Sequence, residues 1–128
     1  MANNKRIFVS FAVQDKFVRD NLVNQAKELG NPRFDFADMF VKDPLDAKWR
    51  AMCRTEIKGC DGIIAFISKN TPDAQDECWE IKCAREEGIP IRAFWVHKDE
   101  PYGKPIELGS TPVVCWNWET ISNFIYSL

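Results

Sequence analysis

The sequence predicts an α/β domain: a five-stranded, doubly wound parallel sheet in strand order 2-1-3-4-5. Three observations lead there. Strand-like and helix-like patterns alternate along the chain, most connections between them are short, and two of the strand runs are continuously apolar rather than alternating. Continuous apolar runs belong to strands covered on both faces, as crossover helices cover a parallel sheet. Right-handed crossovers leave few other ways to wind such a chain. A length of 128 residues with 45% apolar content fits one domain, 1–128, whose core requires neither disulfide nor metal.

Lys5 to Phe11 reads as the first strand, with Ile7, Phe8, Val9 and Phe11 nearly unbroken. Asp15 is the expected N-cap of the next helix, whose buried face is Val18, Leu22, Ala26 and Leu29, and Gly30 is expected to stop it. Phe34-Asp35-Phe36 alternates, as a half-exposed edge strand does. A loop from Asp38 to Pro44 follows. A second helix is expected from near Leu45, with Trp49, Met52, Cys53 and Ile57 on one face and Gly59 at its end. Gly62 to Ile67 is the most apolar strand and so the central one. Ser68 to Pro72 is a polar turn, and a third helix runs from about Ala74 to Glu87, ended by Gly88. Ile91 to Val96 and Val113 to Trp116 are the fourth and fifth strands, and Ile121, Phe124 and Ile125 mark a last helix. Between the last two strands, His97 to Thr111 holds Pro101, Gly103, Pro105 and Gly109 and reads as an irregular loop.

Charge and motifs exclude several function classes. Charged residues make up 28% and nearly cancel at a net charge of -2, so a nucleic-acid partner is not expected. No apolar run is long enough to span a bilayer, and Met1 to Arg6 leads straight into a strand without a signal peptide. No membrane association is expected. The five cysteines are odd in number and lack a C-x-x-C pair, which points to free thiols and a cytoplasmic address. Cys78 and Cys83 read as packing residues of one helix. His97 stands alone, so no metal site is expected. Neither a G-x-G-x-x-G nor a Walker-type loop is present, and Ser68 stands where a receiver domain would place its phosphate-accepting aspartate.

In an open α/β sheet, ligands bind beyond the carboxyl ends of the strands where strand order reverses. Here that crevice lies between the first and third strands. Ser10, Phe11 and Ala12 leave the first, Ser68, Lys69 and Asn70 leave the third, and Asp76, Glu77, Trp79 and Glu80 open the helix that follows. Taken one by one, these residues have ordinary readings. Glu80 is a solvated acid early in a helix, Phe11 a core residue, and Trp79 a cover on the helix surface.

Three segments together change that balance. Phe8-Val9-Ser10-Phe11 followed by Asp15, the strand ending Phe66-Ile67-Ser68, and Trp79-Glu80-Ile81 continuing through Cys83-Ala84 to Gly88-Ile89-Pro90-Ile91 resemble the motifs of TIR (Toll/interleukin-1 receptor) domains. The resemblance runs from about Lys5 to Val96 and is strongest to the compact bacterial TIR-like proteins of the Thoeris antiphage system. It implies a flavodoxin-like, TIR-like fold and an NAD glycohydrolase or ADP-ribosyl cyclase. Such an enzyme takes NAD as substrate, needs no cofactor, and sends an ADP-ribose-derived signal to a separate effector protein. It implies Glu80 as the catalytic carboxylate and Ser10, Phe11, Asp38, Phe40, Ser68 and Trp79 as substrate-binding residues. It also implies a homo-oligomer or self-assembly through TIR–TIR contacts. Two features depart from the family pattern. Asp76 occupies the position, four before the glutamate, where many catalytic relatives carry tryptophan, and no helix is evident between the fourth and fifth strands. The first departure favours the alternative, a non-catalytic interaction module.

Overall fold

The two apolar runs become the inner strands of the sheet. The computed structural model describes residues 5–28, 34–37, 46–97 and 105–128. Strands β1 (Lys5–Ser10), β2 (Phe34–Ala37), β3 (Gly62–Ile67), β4 (Ile91–Trp95) and β5 (Val113–Cys115) form one sheet in the order β2-β1-β3-β4-β5. Each neighbouring pair is parallel. Helices α1 (Phe17–Glu28), α2 (Ala47–Lys58), α3 (Gln75–Glu86) and α4 (Trp118–Tyr126) pack on it. The fold is the doubly wound sheet that the sequence predicts. None of the described helices is long and apolar enough to cross a membrane.

Strand alternation divides the core between the two faces. Ile7, Val9, Phe11, Ile64, Phe66 and Phe94 point to one side, where they meet Val18 and Leu22 of α1 and Ile121, Phe124 and Ile125 of α4. On the other side Phe8 and Ile63 meet Trp49, Cys53 and Ile57 of α2 and Cys83 and Ala84 of α3. Ala65, Ile67 and Ala93 complete that side with Ile81 and Leu108. Every residue of β3 is buried, which explains why its sequence shows no polar alternation. Ser10 lies two residues beyond Phe8 and so faces the α2 and α3 side, in register with Ala65.

Three local expectations are corrected. Asp15 does not cap α1: it ends a short 3-10 turn, Val13–Asp15, is buried, and bonds across to the loop after β3. Met52 leaves the buried face of α2, 54% exposed, because that stripe is the narrower one of Trp49, Cys53 and Ile57. The polar turn expected after β3 is present and includes a 3-10 turn, Thr71–Asp73. The segment before β5 is not wholly irregular, since a 3-10 turn at Ile106–Leu108 sends Leu108 into the core against Ile81. α2 is capped by Asp46, which accepts a hydrogen bond from the Lys48 N–H at 2.9 Å. Gly88, with φ +69°, ends α3 in the left-handed conformation that glycine adopts without strain. The expectations at Leu29, Gly30, Leu45, Pro101, Gly103 and the 38–44 loop, including Asp38 and Phe40, fall outside the described residues.

Candidate active site

Glu80 is not a solvated surface acid. It has no exposed surface, and its Oε1 accepts a hydrogen bond from the Ser10 hydroxyl at 2.7 Å. Ser10, at the carboxyl end of β1, is equally buried. The thiol of Cys53 on α2 lies 4.0 Å from Glu80 Oε2, at the outer limit of a thiol hydrogen bond. A carboxyl group from α3 is thus enclosed by the end of β1 and the inner face of α2. Burying such a group is unfavourable without compensating donors. Leaving a buried acceptor without its donor costs about 1–3 kcal/mol, which makes Ser10 a substantial part of that compensation.

A second buried polar cluster joins the two loops at the same end of the sheet. Asp15, 3% exposed, accepts a short hydrogen bond from the Ser68 hydroxyl and another from Asn70 Nδ2 at 3.1 Å. The Ser68 hydroxyl in turn accepts from the Asn70 N–H at 3.0 Å, and the Ser68 N–H donates to Thr71 Oγ1 at 2.9 Å. Ser68 is therefore spent on protein partners in this conformation.

Among the described residues, Phe11 and Trp79 have packing partners other than Glu80. Phe11 is buried in the core on the α1 and α4 side, packed with Val18 and Leu22. Trp79 is half-buried in the seam between α2 and α3. Its ring meets Trp49 edge-on, with centroids 5.4 Å apart and planes at 60°, and the Arg54 guanidinium lies 5.5 Å from its centroid. Arg54 is held there by Glu86 at 3.0 Å and Glu87 at 3.7 Å. Asp76, four residues before Glu80, is buried in the first turn of α3.

Sequence reasoning did not single out Cys53 as a neighbour of Glu80, and it gave Asp15 a local role. A cysteine on the apolar stripe of a helix carries no signal that separates it from any small core residue. The thiols of α3 are chemically quiet. Burial, with the Glu107 and Glu77 carboxyl groups adding to it, pushes Cys78 up to about 12. Burial also raises Cys83, against an opposing effect of Arg54. Among the described residues, no group of three or more His, Cys, Asp or Glu side chains is placed to hold a metal ion.

The architecture is that of a TIR-like domain. The chain is similar to the crystal structure of the TIR domain of the Toll-related receptor TRR-2 from the lower metazoan Hydra magnipapillata, with a TM-score of 0.58 at 15% identity over 94% of this chain and 91% of that one. It is also similar to the crystal structure of a prokaryotic SEFIR domain, with a TM-score of 0.50 at 12% identity over 97% of this chain and 88% of that one. At such identities the likeness is one of fold. No curated protein matches the chain in sequence. The family is nevertheless plain: residues 8–101 match the Thoeris protein ThsB, TIR-like domain, and the chain belongs to that family. The matched region contains Ser10, Cys53, Ser68 and Glu80.

Proposed function

We propose that this chain cleaves the bond between nicotinamide and ribose in NAD, with Glu80 as the catalytic carboxylate, and so makes an ADP-ribose-derived signal in antiphage defence. The observation that carries the reading is the placement of Glu80. In a chain of the ThsB TIR-like family, this carboxyl group is enclosed at the end of β1 and bonded to Ser10.

The chemistry suits a buried anion. When the bond between ribose C1′ and the nicotinamide nitrogen breaks, its electron pair leaves with nicotinamide, which departs neutral. The ribose ring is left with positive charge. A fixed carboxylate stabilises that developing cation more than it stabilises bound NAD, and exclusion of water strengthens the effect. Capture of the cation by water, which loses a proton, gives ADP-ribose. Capture by a nucleophilic atom of the same molecule gives a cyclic isomer. NAD is the substrate in this scheme, and no other cofactor enters.

Glu80 and Ser10 have no exposed surface, so the conformer described is closed over the carboxyl group. Ribose reaches it only after the surrounding elements part, which fits an enzyme held idle until self-assembly or another trigger opens it. Stacking of a base on Phe11 or Trp79 would require the same opening. In this reading Ser10 orients the carboxylate. The chain then acts in the cytoplasm, and a separate effector protein senses the product.

The same burial, together with Asp76 in the tryptophan position, favours a second reading in which Glu80 is a core acid of a non-catalytic interaction module. Nicotinamide release from NAD by the wild-type protein and by Glu80→Gln, each assayed across a range of protein concentrations, separates the two. Release by the wild type that the substitution abolishes supports the enzyme. Equal release from both, or none at any concentration, supports the module.

A further inference from the structure

Asp15 is a buried acid that the proposed chemistry does not use, and its position is informative. It lies on the connection that follows β1, five residues beyond Ser10. The end of β1 and the connection that follows it therefore reach the α3 side of the site at two points. Ser10 bonds Glu80 directly. Asp15 bonds Ser68 and Asn70, on the loop that runs from β3 into α3. From there the contacts continue into the helix. The Ser68 N–H is bonded to Thr71 Oγ1, the Thr71 carbonyl accepts from the Ala74 N–H at 3.0 Å, and it also accepts from the Cys78 thiol at 3.3 Å. Cys78 precedes Glu80 by two residues on the same helix.

We infer that Asp15 is a positioning residue that clamps the β3–α3 loop, and with it the first turns of α3, so that Glu80 stays seated against Ser10. The inference rests on the NAD-cleaving reading and adds to it a role for Asp15, Ser68 and Asn70. The physical grounds are burial and satisfaction. Asp15, Ser68 and Thr71 are 3%, 1% and 0% exposed. A carboxyl group at that depth is kept by the donors it holds, so removing it frees both loops at once. The hydroxyl of Ser68 belongs to this clasp rather than to a bound ribose.

Misplacement of a reacting group by about 1 Å costs about a hundredfold in rate, which sets the scale of the expected effect. Asp15→Ala and Ser68→Ala each lower kcat by about tenfold to a hundredfold and leave KM within about threefold, and the double variant is no slower than the worse single one, since both break one network. Ser68→Thr keeps the hydroxyl and recovers most of the rate. Asn70→Ala removes one bond from a half-exposed residue, folds without difficulty, and slows kcat by a few-fold. In amide hydrogen exchange, Asp15→Ala speeds exchange across 68–80 and spares β1 and α4.

Unchanged kcat in Asp15→Ala and Asn70→Ala, or a uniform rise in exchange over the whole chain, overturns the inference. So does full additivity of the Asp15 and Ser68 substitutions. Absence of NAD cleavage by the wild type overturns the proposed function instead. The exchange pattern then decides the clasp alone: local acceleration across 68–80 upholds it, and uniform acceleration or none refutes it.

Discussion

Ser10→Ala removes one hydroxyl and leaves the rest of the site in place. The bond it deletes spans 70 residues and links the end of β1 to the middle of α3 at 2.7 Å, with no solvent exposure at either end. Water is not at hand to replace the donor, and the nearby Cys53 thiol at 4.0 Å is a weak one. The NAD-cleaving reading makes Glu80 a carboxylate, and a hydrogen bond to a charged acceptor is worth about 1.5–3 kcal/mol, so on that reading the variant should be less stable by that amount. With a urea dependence of about 2 kcal/mol per molar, the unfolding midpoint falls by about 1 M. Repeating the substitution in Glu80→Gln separates the bond from simple loss of packing. A bond to a neutral amide oxygen is worth only about 0.5–1.5 kcal/mol, so Ser10→Ala costs about 1 kcal/mol less in that background. Chemical unfolding of the four proteins, with equal slopes, measures the difference. A cost below about 0.5 kcal/mol in both backgrounds, the range of ordinary surface substitutions, would refute the pairing of Ser10 with Glu80.

Trp79→Ala should destabilise more than Arg54→Ala: the first loses its buried ring area, an edge-on ring contact worth about 0.5–1.5 kcal/mol beyond that area and the contact with Arg54, the second ion pairs worth about 0–1 kcal/mol and the same cation–π contact, worth about 0.5–1 kcal/mol. The reverse order of melting temperatures would contradict the placement of Trp79 in the α2–α3 seam. Gly88→Ala forces a side chain into φ +69° and should cost about 1–2 kcal/mol in unfolding experiments, with Gly88→Asn costing less; equal stability of alanine and glycine there would show a different backbone. Burial holds Cys60 up at about 11 and Cys78 up at about 12, from an ordinary 9.0, so stability carried by the protonated thiols is complete below pH 9.0 and is lost as pH rises toward those values. The urea midpoint should therefore fall above pH 9.0 and fall less in Cys78→Ala; a midpoint independent of pH in that window would contradict the burial of both thiols.

The sheet was legible because burial on both faces leaves a plain trace in sequence. Ile63, Ile64, Phe66 and Ile67 admit no polar face, and the structure buries all of β3. The order of the strands followed from handedness and short connections rather than from any residue. Side-chain placement was harder where two physical demands compete. Asp15 has the right type and position to cap α1, yet the donors of Ser68 and Asn70, more than fifty residues away in sequence, take its carboxyl group. Met52 and Cys53 both suit a helical stripe, and only packing shows that the stripe of α2 passes through Cys53. Glu80 was the hardest. It shares α3 with Asp76, Glu77 and Glu86, and composition gives no reason for the first two to be buried beside it. The family resemblance singled out Glu80 as a catalytic carboxylate, and its bond to Ser10 at the end of β1 is visible only in three dimensions.

The most direct measurement is steady-state NAD cleavage by Glu80→Gln beside the wild type, with kcat and KM determined separately and folding checked by unfolding midpoint. An anion that acts on the ribosyl cation rather than on bound NAD contributes to kcat alone, so the expected result is a fall in kcat of about a hundredfold or more with KM within about threefold. A raised KM with kcat intact, or cleavage equal in the two proteins, would contradict a catalytic role for the buried carboxylate.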